Sequence, residues 1–133
     1  MSFEFPVRIY WEDTDAGGIV FYANYLKFFE RARTEWLRHL GIEQQALREA
    51  TGGMFVVVET QLKYHKPAQL DDLLTVNASL LSKGRSSLVI AQQAWRQATE
   101  PVLLCEGTIR IGWVQAASLK PDRIPSSILE RLI

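Results

Sequence analysis

Residues 24–40 carry the pattern that most restricts how this chain can fold. Apolar or small side chains recur there at three- and four-residue steps, at Tyr25, Phe28, Phe29, Ala32, Trp36 and Leu40. That spacing is one face of an α-helix. Lys27, Glu30, Arg31, Arg33, Glu35 and Arg38 occupy much of the other face, while Leu26 and Leu37 widen the apolar stripe. Asn24 fits an N-cap and Gly41 the position just beyond the C-terminal cap. Such a helix predicts a core element around which the remaining structure wraps.

The remaining segments read mainly as strands. Residues 3–11 (FEFPVRIYW) alternate and are rich in β-branched and aromatic side chains, with Pro6 favouring an edge or a bulge. Residues 12–18 form a loop. A shorter helix is expected over residues 42–50, ending at Gly52-Gly53. Residues 54–66, 72–82, 87–97 and 102–114 favour strands by alternation or β-branching. Turn signals at residues 67–72, 83–86 and 98–101 separate them. Short connections argue for an antiparallel meander. Pro121 and Pro125 precede a short terminal helix.

One strand, one long helix and four antiparallel strands make an α+β fold. No repeat, linker or low-complexity segment divides the chain, so a single domain over residues 1–133 is expected. A sheet covered by one helix leaves edges and a face open, which predicts dimerisation with sheets pairing edge to edge.

Composition removes several function classes. Fifteen basic and 15 acidic residues give zero formal charge, against the basic excess of nucleic-acid binders. The lone Cys105 cannot form an internal disulfide and reads as a small core residue. His39 and His65 lie far apart with no cysteine beside them, so neither a metal site nor a cofactor is expected. No signal-peptide pattern and no apolar run of spanning length occur, and a cytoplasmic protein without membrane insertion is expected.

Chemistry concentrates in residues 12–25, EDTDAGGIVFYANY. Asp15 stands before Gly17-Gly18 and a helix start. Paired glycines suit either a plain turn or a loop that approaches a ligand closely. The helix start offers free N–H groups and a positive dipole end. A carboxylate facing such donors fits an acyl-transfer site, with a base or nucleophile opposite an oxyanion binder. Asp15 also fits an Asx-turn, and Glu12 and Asp13 a solvated loop.

With these residues in view, the chain resembles the hotdog-fold acyl-CoA thioesterases. The resemblance rests on VRIYWEDTDAGGIVFYANYLKFFERARTEWLRHLGI, supported by YHKPAQLDDLL, the KGRSS turn and the tail KPDRIPSSI. These pieces span nearly the whole chain. The subgroup it looks most like is the Tol-Pal-associated acyl-CoA thioesterases, with the hydroxybenzoyl-CoA thioesterase as the next relative. The resemblance implies a five-stranded antiparallel sheet wrapped around a long central helix. It further implies a homodimer with a continuous sheet, often doubled to a homotetramer.

By this resemblance Asp15 is the catalytic carboxylate, attacking the thioester directly or deprotonating water. The Tyr22 backbone N–H polarises the thioester carbonyl, with Gly17 and Gly18 shaping the loop. Ile19, Val20 and Phe21 line the acyl pocket or belong to the core. Asn24 is a helix cap or orients water or Asp15. Lys83, Arg85 and Ser86, in the turn Lys83-Gly84-Arg85-Ser86-Ser87, correspond to a turn that holds CoA phosphates, although a basic hairpin end is commonly just solvated. Lys63, His65 and Lys66 are further candidates for that role. Tyr22 departs from the histidine common among Tol-Pal-associated members, which bears on acyl preference.

The expected activity is hydrolysis of acyl-CoA to acid and CoA, with acyl carrier protein as another possible donor. Two other readings are a hotdog dehydratase and a non-enzymatic acyl-group or carrier-protein scaffold. The dehydratase needs a histidine beside the carboxylate, and His39 and His65 lie outside the Asp15 loop. The intact Asp15 loop weighs against the scaffold.

Overall fold

The computed structural model describes residues 2–132. Strand β1 (Phe3–Arg8) leads into the Asp15 loop and helix α1 (Asn24–His39). A short helix α2 (Gln44–Thr51) follows. Then come β2 (Gly53–Tyr64), β3 (Leu73–Lys83), β4 (Ser87–Arg96) and β5 (Val102–Gln115), and a single turn α3 (Ser126–Leu129) near the end. The strands form one antiparallel sheet in the order β1-β3-β4-β5-β2. This is the expected hotdog arrangement, with α1 lying across β1, β3 and β4.

The expected meander holds only for β3-β4-β5. β2 does not neighbour β3; it pairs with β5 on the far side of the sheet, Phe55 opposite Trp113 and Tyr64 opposite Cys105. Residues 65–72 are too long and too Pro-interrupted for a tight hairpin, and their backbone bonds instead to Leu104 of β5, to Ile9 just past β1 and to the Asp15 loop. β1 takes the place beside β3, and Pro6 sits on that edge strand as its missing donor requires. β1 also stops at Arg8, where the sequence pattern ran on to Trp11, because residues 11–13 curl into a 3₁₀ turn.

The core lies between α1 and the sheet's inner face. Phe28, Phe29 and Ala32 meet Leu74, Val76 and Ala78 of β3, Leu88, Ile90 and Ala94 of β4, and Ile109 of β5, all essentially inaccessible to water. Each large apolar side chain buried there contributes about 1.5–3 kcal/mol. Cys105 lies in this core as expected, and burial pushes its thiol pKa up to about 12.

Helix α1 ends in a Schellman motif. Ile42 N–H bonds to the Leu37 carbonyl and Gly41 N–H to that of Arg38, with Gly41 at φ 83°. Two expectations at the helix fail. Asn24 is not the N-cap: Ala23 is, and already has helical backbone angles, so the Asn24 amide instead donates to the Asp13 carbonyl. Arg33 is not on the solvated face but 9% exposed, donating to Gln92 Oε1. Burial lowers the Arg33 pKa, and the Glu30 carboxylate offsets only part of that cost. Glu35 pairs with Arg38 as the spacing implies, whereas Glu30 accepts from the Thr34 hydroxyl.

Candidate active site

The Asp15 loop is a small hairpin closed by its own backbone. Thr14 faces Val20 across an isolated bridge, and Asp15 N–H donates to the Ile19 carbonyl at 2.8 Å. Inside it, the Asp15 carbonyl accepts from Gly18 N–H, and Asp15 Oδ1 accepts from Gly17 N–H at 2.8 Å, an Asx-turn. Gly18 has φ 81°, a conformation glycine adopts without strain. The Asx-turn engages Oδ1, and no hydrogen bond occupies Oδ2 among the described residues.

Three further ties fix this hairpin to its surroundings. Val20 N–H donates to Ala68 and Ile19 bridges Gln69, joining the loop to the β2–β3 connection. The Asp13 carbonyl accepts from both Phe21 N–H and the Asn24 amide, joining it to the start of α1. Asp13 Oδ2 accepts from Tyr10 N–H, securing the 3₁₀ turn at its base. Asp13 and Asn24 therefore build the loop.

The helix start is only partly satisfied. Asn24 N–H bonds to the Phe21 carbonyl and Leu26 N–H to that of Ala23, but among the described residues Tyr22 N–H makes no hydrogen bond. A free donor at the positive end of a 16-residue helix, two residues past Val20 at the end of the carboxylate hairpin, is a ready partner for a developing oxyanion.

Aromatic side chains surround this donor. Tyr64, at the end of β2, packs edge-on against Tyr22 at 6.2 Å and Tyr25 at 5.7 Å, and Phe21 lies 4.9 Å from Tyr22. Tyr25 is buried and its hydroxyl accepts from Ala68 N–H; burial pushes its pKa up to about 12. Burial also raises the pKa of Tyr64, with Cys105 and Tyr22 adding to it. Tyr10, Trp11, Phe21, Tyr22 and Tyr64 remain exposed, so the loop presents an open aromatic surface.

The remaining candidates divide between two places. Asp15, Gly17, Gly18 and Ile19 share the hairpin, and Tyr22 and Asn24 follow it at the start of α1; Val20 is buried, so it belongs to the core beneath. Lys66 precedes the Ala68–Gln69 segment that pairs with the loop, which brings it to the same edge. Lys83, Arg85 and Ser86 do not join them. They turn between β3 and β4, at the end of β3 opposite the loop, about 33 Å away at ~3.3 Å per strand residue. There the Arg85 carbonyl accepts from Ile124 N–H, Arg85 and Arg123 line a cavity of about 550 Å³, and Lys83 Nζ reaches the Leu129 carbonyl. His65 pairs with Glu106 at 2.7 Å instead of facing the loop. Tyr64 neighbours the loop without being among the expected site residues; its place as the aromatic last residue of a strand was the available signal.

Comparisons with known proteins bear on the family and the fold. The family described as "Thioesterase superfamily" matches residues 17–102. The acyl-CoA thioester hydrolase YbgC of Escherichia coli is 43% identical over 127 residues, covering 96% of this chain and 92% of that protein. The acyl-CoA thioesterase YbgC of Haemophilus influenzae is 40% identical, with 96% and 91% covered. Among solved structures, a probable thioesterase from Bartonella henselae superposes with TM-score 0.84 at 30% identity, covering 94% of this chain and all of that one. The 4-hydroxybenzoyl CoA thioesterase of Pseudomonas sp. strain CBS-3 has TM-score 0.91 at 20% identity, with 98% of each chain covered, a likeness of fold.

Proposed function

The chain belongs to the thioesterase superfamily and is a thioester hydrolase, and from that premise we propose that it cleaves acyl-CoA to a carboxylic acid and CoA at the Asp15 loop. The observation that carries this reading is the Asp15 carboxylate in a self-closed hairpin followed directly by the unengaged Tyr22 N–H at the start of α1. Tyr22 N–H receives the thioester oxygen and stabilises the charge that builds on it as the carbonyl is attacked. Asp15 supplies the attack, through its own oxygen or through a water it deprotonates. Gly17 and Gly18 keep side chains out of the approach. The departing CoA thiol resembles a cysteine, with a pKa of about 8.5, so it leaves as thiolate without a strong acid.

Ile19 and the exposed ring of Phe21 form the acyl wall, with Asn24 fixing the loop beneath it. Lys83, Arg85 and Ser86 hold CoA phosphates, and Arg123 adds a second guanidinium to the same cavity. Their distance from Asp15 within one protomer supports a shared site, in which the turn serves a CoA bound at another copy of the chain. The open edge of β2 supports the homodimer this requires.

The test is thiol release from short, long and aromatic acyl-CoAs by the wild-type protein and Asp15→Asn. Release that depends on Asp15 is expected. Equal release by the variant would remove Asp15 from the chemistry.

A further inference from the structure

Tyr22 N–H works as an oxyanion donor only if its direction is fixed, and little of Tyr22 is buried: the residue is 64% exposed. Upstream, Phe21 N–H is held by the Asp13 carbonyl, and the Phe21 carbonyl, in the same peptide plane as the Tyr22 N–H, accepts from Asn24 N–H. Downstream, an α-helix would normally engage the Tyr22 carbonyl through Leu26 N–H. Here Leu26 bonds to Ala23 instead, and the Tyr22 carbonyl is left outside the helical ladder. Its partner is the Tyr64 hydroxyl, which donates to it at 3.0 Å from a residue 42 positions away.

Tyr64 is itself well placed to act as an anchor. Its ring rests edge-on against Tyr25 at 5.7 Å. Tyr25 is 2% exposed and takes Ala68 N–H on its hydroxyl, while the Ala68 carbonyl takes Val20 N–H from the catalytic loop. The hydroxyl that holds Tyr22 is thus referenced, through Tyr25 and Ala68, to the hairpin that carries Asp15.

We propose that Tyr64 is a positioning residue for the hydrolysis: its hydroxyl, bonded to the Tyr22 carbonyl, aims the Tyr22 N–H at the thioester oxygen. This inference rests on the oxyanion role proposed above for Tyr22. The Tyr64–Tyr22 hydrogen bond joins two protein groups and touches no substrate. Its loss acts on the donor that matters when charge develops, so it lowers kcat and leaves KM nearly unchanged.

Tyr64→Phe keeps the ring and both aromatic contacts and removes only the hydroxyl, so the variant should fold. Its kcat should fall about tenfold, the size of effect one neutral hydrogen bond can carry, with KM within about twofold. A merely structural tyrosine would not move the second readout, the carbonyl stretch of bound thioester. Butyryl-CoA and benzoyl-CoA, each carrying ¹³C at the carbonyl, are bound to Asp15→Asn and to Asp15→Asn/Tyr64→Phe and compared by difference Raman spectroscopy. The expected result is a band lowered from its solution position in the first protein and returned toward it in the second. A band equally lowered in both overturns the role of Tyr64 and leaves the oxyanion reading intact. A band at its solution position in both overturns the oxyanion reading, and the positioning role with it.

Discussion

Replacing both Val57 and Val58 by lysine should split the homodimer proposed above into monomers. β5 occupies one side of β2, so the other side presents a row of unpaired backbone groups. Val57 and Val58 stand midway along it, 53% and 57% exposed. Fully burying a valine is worth about 1.5–3 kcal/mol, so the open half of each carries about 1 kcal/mol. A two-fold axis doubles every contact. Two valines from each of two strands then contribute about 4 kcal/mol, equivalent to about a thousandfold in dimer Kd. Lysine removes that contribution and sets like charges across the axis. Sedimentation equilibrium across a wide concentration range measures the Kd directly, and far-ultraviolet circular dichroism checks that the fold persists. A double variant that associates as tightly as wild type would refute β2 as the pairing edge.

Three further outcomes follow from particular contacts. Asp15→Asn keeps an oxygen for the Gly17 N–H, so urea midpoints should match wild type while hydrolysis drops by ~10²–10⁴; Asp15→Ala should lose the turn bond as well, costing about 0.5 kcal/mol at this exposed position. Arg85→Ala should raise KM for acyl-CoA more than it lowers kcat, because phosphate contacts serve ground and transition states alike; steady-state kinetics with an unchanged KM would take the turn out of the CoA site. The Cys105 thiol and Tyr25 hydroxyl both have pKa values raised by burial to about 12, from 9.0 and 10.0. Both are neutral when protonated, so the native state holds protons that the unfolded chain releases. Stability should therefore be complete below pH 9 and decline as pH rises toward 12, and Cys105→Ala should flatten the first part of that decline in urea titrations.

Elements whose signal is local were legible in the sequence. The period of α1, the Gly41 stop and the β3–β4 turn are each written within a few residues, and each forms as expected. The turn at Asp15 was readable because aspartate and glycine make an Asx-turn from their own atoms, whereas its closure into a hairpin by Thr14 and Val20 was not. What stayed hidden depends on partners distant in sequence. An alternating strand does not say which neighbour it chooses, and β2 chose β5 over β3. Arg33 looks solvated by its charge, and only Gln92, 59 residues on, gives that guanidinium a buried acceptor. Asn24 has the composition of a cap, but the helical angles of Ala23 move the cap one residue back and free the amide for Asp13.

In the proposed mechanism, the position of Tyr64 would tie assembly to catalysis. It terminates β2, the strand whose outer edge is open, and its hydroxyl holds the carbonyl of the residue whose N–H receives the thioester oxygen in the proposed mechanism. Strand pairing that orders β2 would also order Tyr64, and through it the donor. A monomer would then lose turnover in two ways, through the missing CoA contacts of the second copy and through a less firmly aimed Tyr22. These losses have different kinetic signatures: the first raises KM, the second lowers kcat. The Val57→Lys/Val58→Lys protein should therefore show both changes when dilute. Concentrating it until dimers reform should recover kcat together with KM; recovery of KM alone would mean that β2 reaches its native order without a partner.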